Sequence, residues 1–485
     1  MRDINPKKEE HSDTWDESVD VIVIGSGFAG LAAAIEAREN GASVLVLEKM
    51  YAAGGNSFIS DGGVAAAGTA LQAKFGIEDS AQNMYADMMR AGQDLGDPVL
   101  VKKLTEQAAD TFEWSQRDLG VAYYDRVDIF GGHSVPRCYT ALDVSGSTII
   151  KCMLLKAGKT GVQLRSRTHF VNFIQNTQGR VCGVTVFENW DYKNDRSGTE
   201  KKIEAKKAVI LASGGFGADV AFRLAQDPRL TEAIDTTNKP FTTAEALREA
   251  IRIGAATAGL SQIQLGPWAS PDEKGYGDGP RFSEYIVFQY GIIVDPLTGC
   301  RFVNELADRK SLSDKILAFG YPCIGMADEY AVLQSGWNID RCLKKGVVRK
   351  FDSLSSLSSF YQIPIPALNK TIDNFNEGFI HGEDRYFGKP LIEKARPITQ
   401  PPFYSIRLWP KVHYTMGGIT INSDSQVIDT DGRIIRGLYA AGEVTGGIHG
   451  ASRLGSCSIT DCLVFGRIAG KNAALPEAFD TAYST

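Results

Sequence analysis

The run from Val19 to Ile24, VDVIVI, is apolar and mostly β-branched, with Asp20 its one polar position. That is the pattern of a strand buried on both faces in a parallel sheet. It breaks at Gly25-Ser-Gly27-Phe-Ala-Gly30 and continues as LAAAIEAREN, a strong helix former that ends at Gly41. A second apolar run, SVLVLE, closes on Glu48. The spacing predicts a strand–helix–strand unit. Two later segments repeat its first half: KKAVILAS predicts a strand running into Gly214-Gly215-Phe-Gly217, and GLYAA predicts one running into a glycine-dense loop and a helix starting near Ser458. Between 261 and 412 the pattern turns polar and mixed, with RFVNE, a serine-rich SLSSLSSF and a helical NKTIDNFNEGF. This stretch reads as a second domain inserted into the first.

The glycines of the first unit have separate physical tasks. Gly25 makes the tight turn, Gly27 lets the backbone approach a pyrophosphate, and Gly30 lets the helix pack on the strand. The helix opened by Phe28 and Ala29 then points its positive end at the phosphates, and Glu48 is placed for ribose hydroxyls. This predicts a nucleotide site. Two glycine pairs follow soon after, Gly54-Gly55 and Gly62-Gly63. The 214–217 cluster lacks the GxGxxG spacing, so no second, nicotinamide-binding fingerprint is present.

Composition sharpens this picture. Glycine is 50 of 485 residues against a usual share near 7%. Seventeen of them fall in clusters at 25–30, 54–55, 62–63, 214–217, 417–418 and 442–455, all outside the insertion. With 43% hydrophobic and 23% charged residues the chain can bury a large core, and its length suggests about three domains. A net charge of −6 argues against a nucleic-acid partner, which needs a basic face. No apolar run of about 18 residues occurs, so an integral membrane protein is not expected. The polar N-terminus, MRDINPKKEEHSDTWDES, lacks a signal-peptide core and predicts a cytoplasmic location, or a periplasmic one if an export signal has been removed. Eight cysteines without CxxC and six histidines without ligand spacing predict neither haem attachment nor a metal site.

Seven stretches occur in one order along residues 20–470: VIVIGSGFAGLAAAIEA, LEKMYAAGGNS, GGHSVPR, VILASGGFG, RFVNELADR, HYTMGGI and GLYAAGEVTGGIHGASRLG. In these the chain resembles the flavoprotein subunits of fumarate reductase and succinate dehydrogenase, most closely soluble fumarate reductases and the flavin part of flavocytochrome c. The resemblance implies an α/β fold, a Rossmann-like FAD-binding domain with an inserted α+β capping domain. Its boundaries would be a tail at 1–19, FAD domain at 20–260 and 413–475, cap at 261–412, and a tail at 476–485. It implies FAD held by Gly25, Gly27, Phe28, Ala29, Gly30, Glu48, Lys49, Gly54, Gly55, Asn56, Ser57, Gly62, Gly63, Ala212, Ser213, Gly214, Gly442, Glu443, Arg453, Ser456, Ser458 and Ile459. Attachment would be non-covalent, because no histidine stands by Gly54-Gly55-Asn56-Ser57.

The same resemblance implies reduction of the C=C bond of an α,β-unsaturated carboxylate. Arg453 would clamp the substrate carboxylate with His413, Arg309 would protonate carbon, and Glu284 would relay the proton, with Arg281 as a possible partner. The chain departs from the family where a second histidine would hold a far carboxylate. Gly266 stands there, in QIQLGPWAS, with Trp268 close by. That loss opens the reading of a related enoate such as acrylate, urocanate or cinnamate, its far end packed against Trp268, Tyr285 or Phe288, while fumarate stays the best single named substrate because other donors can replace the histidine. Electrons must come from outside, from a cytochrome, a reduced flavin or another reductase. Two other readings stay open: a ketosteroid dehydrogenase-like flavoenzyme, which would not need the Arg453–His413 clamp, and a non-catalytic flavin redox carrier, which would not need Arg309.

Overall fold

The computed structural model describes residues 15–476. Most of the two expected tails lies outside this range. The first strand, Glu17–Ile24, starts inside the tail expected over 1–19, because Glu17, Ser18 and Val19 already pair with Ile203, Glu204 and Ala205. Around this strand the sheet runs in the order Gln426–Ile428, Ile434–Ala440, Thr199–Leu211, Glu17–Ile24, Val44–Leu47, Gln163–Arg165. All neighbours are parallel except the first pair. The strand Thr199–Leu211 also pairs antiparallel with Val181–Glu188, which pairs with Thr168–Gln175. This long strand therefore joins a meander at its start to the parallel sheet at its end.

Two helices, Phe28–Glu39 and Cys457–Ala474, pack against each other on the sheet. They come close because their contact is made of alanine and glycine. A Cβ on Gly466 would sit 2.6 Å from the Ala29 carbonyl oxygen, and one on Gly470 2.1 Å from that of Ala33. The end of one glycine-led strand–loop–helix unit is thus locked to the start of the other.

The insertion leaves the first domain on Ile263–Gly266 and returns on Lys411–Thr415, and these segments pair antiparallel as a single ribbon. Beyond the ribbon lies an antiparallel sheet of Ile292–Val294, Cys323–Asp328, Phe403–Leu408 and Val348–Phe351, in that order. It has its own apolar interior, with Trp268, Phe282, Ile316 and Ile406 on one side and Leu357, Leu368 and Phe375 on the other. The serine-rich segment forms a helix, Leu354–Tyr361, capped by Ser353 and anchored by buried Leu357. Among the described residues no helix is long and apolar enough to cross a membrane.

Candidate active site

The first strand's end and its helix form the floor of an elongated space. Gly25 has φ +104°, and a Cβ there would lie 2.3 Å from the Ala212 carbonyl oxygen. Gly30 does not face the space; its bare Cα admits the Gly25 carbonyl, which a Cβ would meet at 1.9 Å. The helix Phe28–Glu39 gets no cap from Gly27 and has no acid in its first turn; the Ser57 hydroxyl accepts the Phe28 N–H at 3.1 Å, and the end carries no negative charge to oppose an anion. Surface helices differ: Ser80, Asp97 and Asp219, for example, cap theirs. About 980 Å3 of empty space lies over this turn, lined by Gly25, Gly27, Phe28, Ala29, Glu48, Lys49, the 54–57 segment, Ala212, Ser213, Gly214 and Glu443. Glu48 is held there by the Ser26 hydroxyl and by the Met50 N–H at 2.8 Å. Lys49 is turned to Glu245 at 2.9 Å. Thr168, His169, Phe170 and Phe241 to Thr243 complete this end. Sequence reading did not single them out, and no motif marks them.

The space continues past Phe28, Asn56 and Ser57 to Ser458 and Ile459, and then to a third cavity lined by Gly62, Gly63 and Ser456. Glu443 sits between the first two, accepting the Thr415 N–H at 3.0 Å. Burial pushes its carboxyl up to about 7, against that bond and the charge of Arg453. Gly442 lies just behind, where a Cβ would come within 2.8 Å of the Ala29 Cβ. The helix expected near Ser458 starts at Cys457, behind Ser456 at φ +64°, and it too lacks a side-chain cap. One long space with a helix N-terminus at each half has room for an FAD; Gly27 would hold the pyrophosphate, and Gly62, Gly63 and Ser456 the flavin ring.

The loop bearing Arg453 is held from behind. Arg137 is fully buried and ion-paired to Asp79 at 2.8 Å and to Asp87. It donates to His133 Nδ1 at 3.0 Å, so His133 Nε2 carries the hydrogen donated to the Gly455 carbonyl at 2.9 Å. This network was not read from the sequence, although the GGHSVPR stretch contains it.

The third cavity, about 550 Å3, brings together Arg309, Glu284, His413 and Arg453 with Asp61, Trp268, Tyr276 and Tyr285. Arg309 opens the helix Arg309–Phe319, whose Asp308 caps the Ser311 N–H at 3.0 Å. Its Nη2 donates to Glu284 Oε1 at 2.8 Å. Glu284 sits on a π-helical turn, Ser283–Val287, a local widening frequent at functional sites. Burial lowers the Arg309 pKa, but the Glu284 carboxylate outweighs it, and the net shift is upward. Arg281 does not join the pair; its guanidinium lies over the Trp337 ring at 5.8 Å.

His413 stands on the returning strand of the ribbon, its Nδ1 2.9 Å from the Thr237 hydroxyl. Burial and the charges of Arg309 and Arg453 hold it far below its usual pKa, so the ring is neutral. Arg453 is 4% exposed, lies over the Tyr414 ring at 4.9 Å and donates only to the Leu454 carbonyl. It makes no ion pair among the described residues, and its Nε has no partner. Burial, then Arg309, lowers it to about 10. His449, in the same loop, turns to Asp461 at 3.3 Å and does not line the cavity.

Gly266 owes its size to Trp268. A Cβ at 266 would sit 2.9 Å from the indole. The indole, 1% exposed, stands edge-on to His413 at 4.9 Å and under the Arg309 guanidinium at 5.8 Å. Tyr285 faces this cavity, while Phe288 lines a smaller one on the far side of Trp268 and Arg309.

The chain is similar to known proteins along most of its length. The FAD binding domain family matches residues 20–459. The acrylate reductase flavoprotein subunit of Shewanella woodyi is 42% identical over 464 residues, covering 94% of this chain and 91% of that protein. A fumarate reductase (cytochrome) of Shewanella frigidimarina is 35% identical over 462 residues, covering 94% and 77%. The solved open conformation of a flavocytochrome c3 fumarate reductase superposes with a TM-score of 0.77 at 32% identity, over 95% of this chain and 78% of that one.

Proposed function

The chain belongs to the FAD binding domain family, an FAD-dependent oxidoreductase of the fumarate reductase and succinate dehydrogenase flavoprotein kind, and from that premise we propose that it reduces the C=C bond of a short α,β-unsaturated monocarboxylate such as acrylate. One observation carries the reading: Arg453 is a buried guanidinium without a counter-ion among the described residues, facing the cavity that also holds Arg309 and His413. An unpaired buried charge is costly, and a bound carboxylate removes that cost. The glycine turn at 25–30, Glu48 and the 54–57 and 62–63 segments would hold FAD non-covalently; recharged by an external cytochrome, reduced flavin or reductase, it would supply the hydride.

The protein's own residues do the rest. Arg453 and His413 fix the carboxylate and so orient the double bond. The positive charges polarise the alkene, favouring addition at the β-carbon. Arg309 protonates the α-carbon. An arginine can serve as an acid only if its proton is replaced, since its ordinary pKa exceeds ~12, and the Glu284 contact gives it a partner. The monocarboxylate preference rests on the cap side. Trp268 fills the space beside Gly266, so no side-chain donor stands there for a second carboxylate, and the acids Glu284 and Asp61 line the same cavity. Such a mismatch costs on the order of 2–5 kcal/mol. The relative named for acrylate supports the same assignment.

The test is anaerobic. Dye-reduced holoprotein is mixed with acrylate, methacrylate, fumarate, urocanate and cinnamate, and flavin reoxidation is followed. The expected kcat/KM for acrylate exceeds that for fumarate by about thirtyfold or more. Parity with fumarate would overturn the monocarboxylate assignment; no reoxidation by any enoate would overturn the reductase.

A further inference from the structure

Asp61 is a half-buried carboxyl on the FAD domain, directly before Gly62-Gly63, and its open face looks into the third cavity. Among the described residues its one side-chain hydrogen bond comes from the cap: the Tyr276 hydroxyl donates to Asp61 Oδ1 at 2.6 Å. Glu284 and Arg309, also on the cap, line the same cavity. We propose that Asp61 is the relay acid that returns a proton to the Glu284–Arg309 pair after each turnover, and that Tyr276 brings it into register when the cap sits closed on the FAD domain. This rests on the enoate reductase reading above.

The need comes from the chemistry of Arg309. When it gives an N–H proton to the α-carbon, while a hydride adds at the β-carbon, it is left neutral beside Glu284. Glu284, as the anionic partner of the ion pair, can only pass a proton on. Asp61 supplies it: its O–H proton crosses to Glu284 through a cavity water as Glu284 hands one to Arg309, and Asp61 is recharged from solvent. Per turnover the substrate gains one hydride and one proton; the relay draws from solvent the one proton that Arg309 gives up, and the hydrogen of the hydride is restored with the electrons from the external donor. The groups facing Asp61 are Tyr276, Tyr285, Glu284 and Arg309 on the cap, Arg281 further out, and His413 and Arg453 across the cavity. Burial and the Glu284 charge push the Asp61 carboxyl up to about 6, against the Tyr276 hydrogen bond and the Arg309 charge. Near neutral pH it is therefore able both to give and to regain a proton.

A group that recharges the acid is not needed for the first event, since Arg309 starts charged. Stopped-flow reoxidation of reduced holoprotein by acrylate gives the single-turnover rate, and steady-state assays give kcat. In Asp61→Asn the loss in kcat should exceed the loss in the single-turnover rate by about tenfold or more, and Asp61→Glu should recover part of it. Tyr276→Phe removes a bond that favours the carboxylate, so the alkaline limb of the kcat profile should move to higher pH. An infrared difference spectrum between pH 5 and 8 should show a carboxylic acid band that Asp61→Asn removes. Equal losses in both rates, or an unchanged kcat in Asp61→Asn with wild-type turnover intact, overturn the relay alone. A wild-type protein that no enoate reoxidises removes the reductase reading and the relay with it.

Discussion

The two walls of the third cavity differ at their centres. The FAD-domain wall turns bare backbone to the cavity at Gly62 and Gly63, where a Cβ on Gly63 would come within 2.6 Å of the Ser456 hydroxyl, with Asp61, His413 and Arg453 around it. The cap wall is made of large or charged side chains, Trp268, Tyr276, Glu284, Tyr285 and Arg309. Arg453 and His413 stand on the first wall and Arg309 on the second. On the proposed reading, substrate orientation would be set within the FAD domain, while the residue that gives carbon its proton would come from the cap.

Arg309→Gln breaks this division most directly. It should lower kcat by about a thousandfold while flavin content and the affinity for acrylate, read from flavin absorbance, stay near wild type. If the variant loses flavin or binds acrylate much more weakly, orientation depends on the cap and the division fails.

A smaller effect should come from the packing of Trp268 on Gly266. Gly266→His alone should gain nothing with fumarate, because its Cβ would press on the indole at 2.9 Å. Gly266→His combined with Trp268→Ala frees the space and adds a donor. It should raise kcat/KM for fumarate by about tenfold or more over Trp268→Ala alone, at some cost in stability. An equal response from the single and double variants would show that the indole does not exclude the second carboxylate.

The same contrast explains what could be read in advance. Backbone thinned for a cofactor leaves a local mark, so Gly25, Gly27, Gly54 and Gly62 pointed to the nucleotide site and helix Phe28–Glu39 fell where the pattern placed it. Arg453, His413 and Arg309 were singled out through their motifs, and the structure brings them to one cavity. Asp61 and Tyr276 were not: they lie 215 residues apart in the chain, and only the docking of the cap brings them together. Gly266 was noticed as a missing donor, but its cause, the indole two residues later, is a packing fact. The helix Leu354–Tyr361 was missed for another reason. Serine is a middling helix former, and this helix depends on its Ser353 cap and on Leu357 reaching the cap interior.

The mildest test concerns the acids of the two domains. Glu284 has Arg309 at 2.8 Å, whereas Glu443 has only the Thr415 N–H, its hydroxyl and the more distant Arg453 charge. Burial lifts Glu443 to about 7 from an ordinary 4.5. A carboxyl raised in the folded state contributes stability that is fully present below its unfolded pKa and lost as pH rises through the folded one. Flavin-free protein should therefore lose stability between pH 5 and 7, with a slope of at most about 1.4 kcal/mol per pH unit from this group. Asp61, raised to about 6, adds to the loss over the lower part of that window. Glu443→Gln should flatten the upper part of the curve in denaturant titrations at a series of pH values. A slope unchanged by Glu443→Gln would mean that the FAD domain already satisfies this acid without its cofactor, and that the two domains handle their buried carboxylates alike.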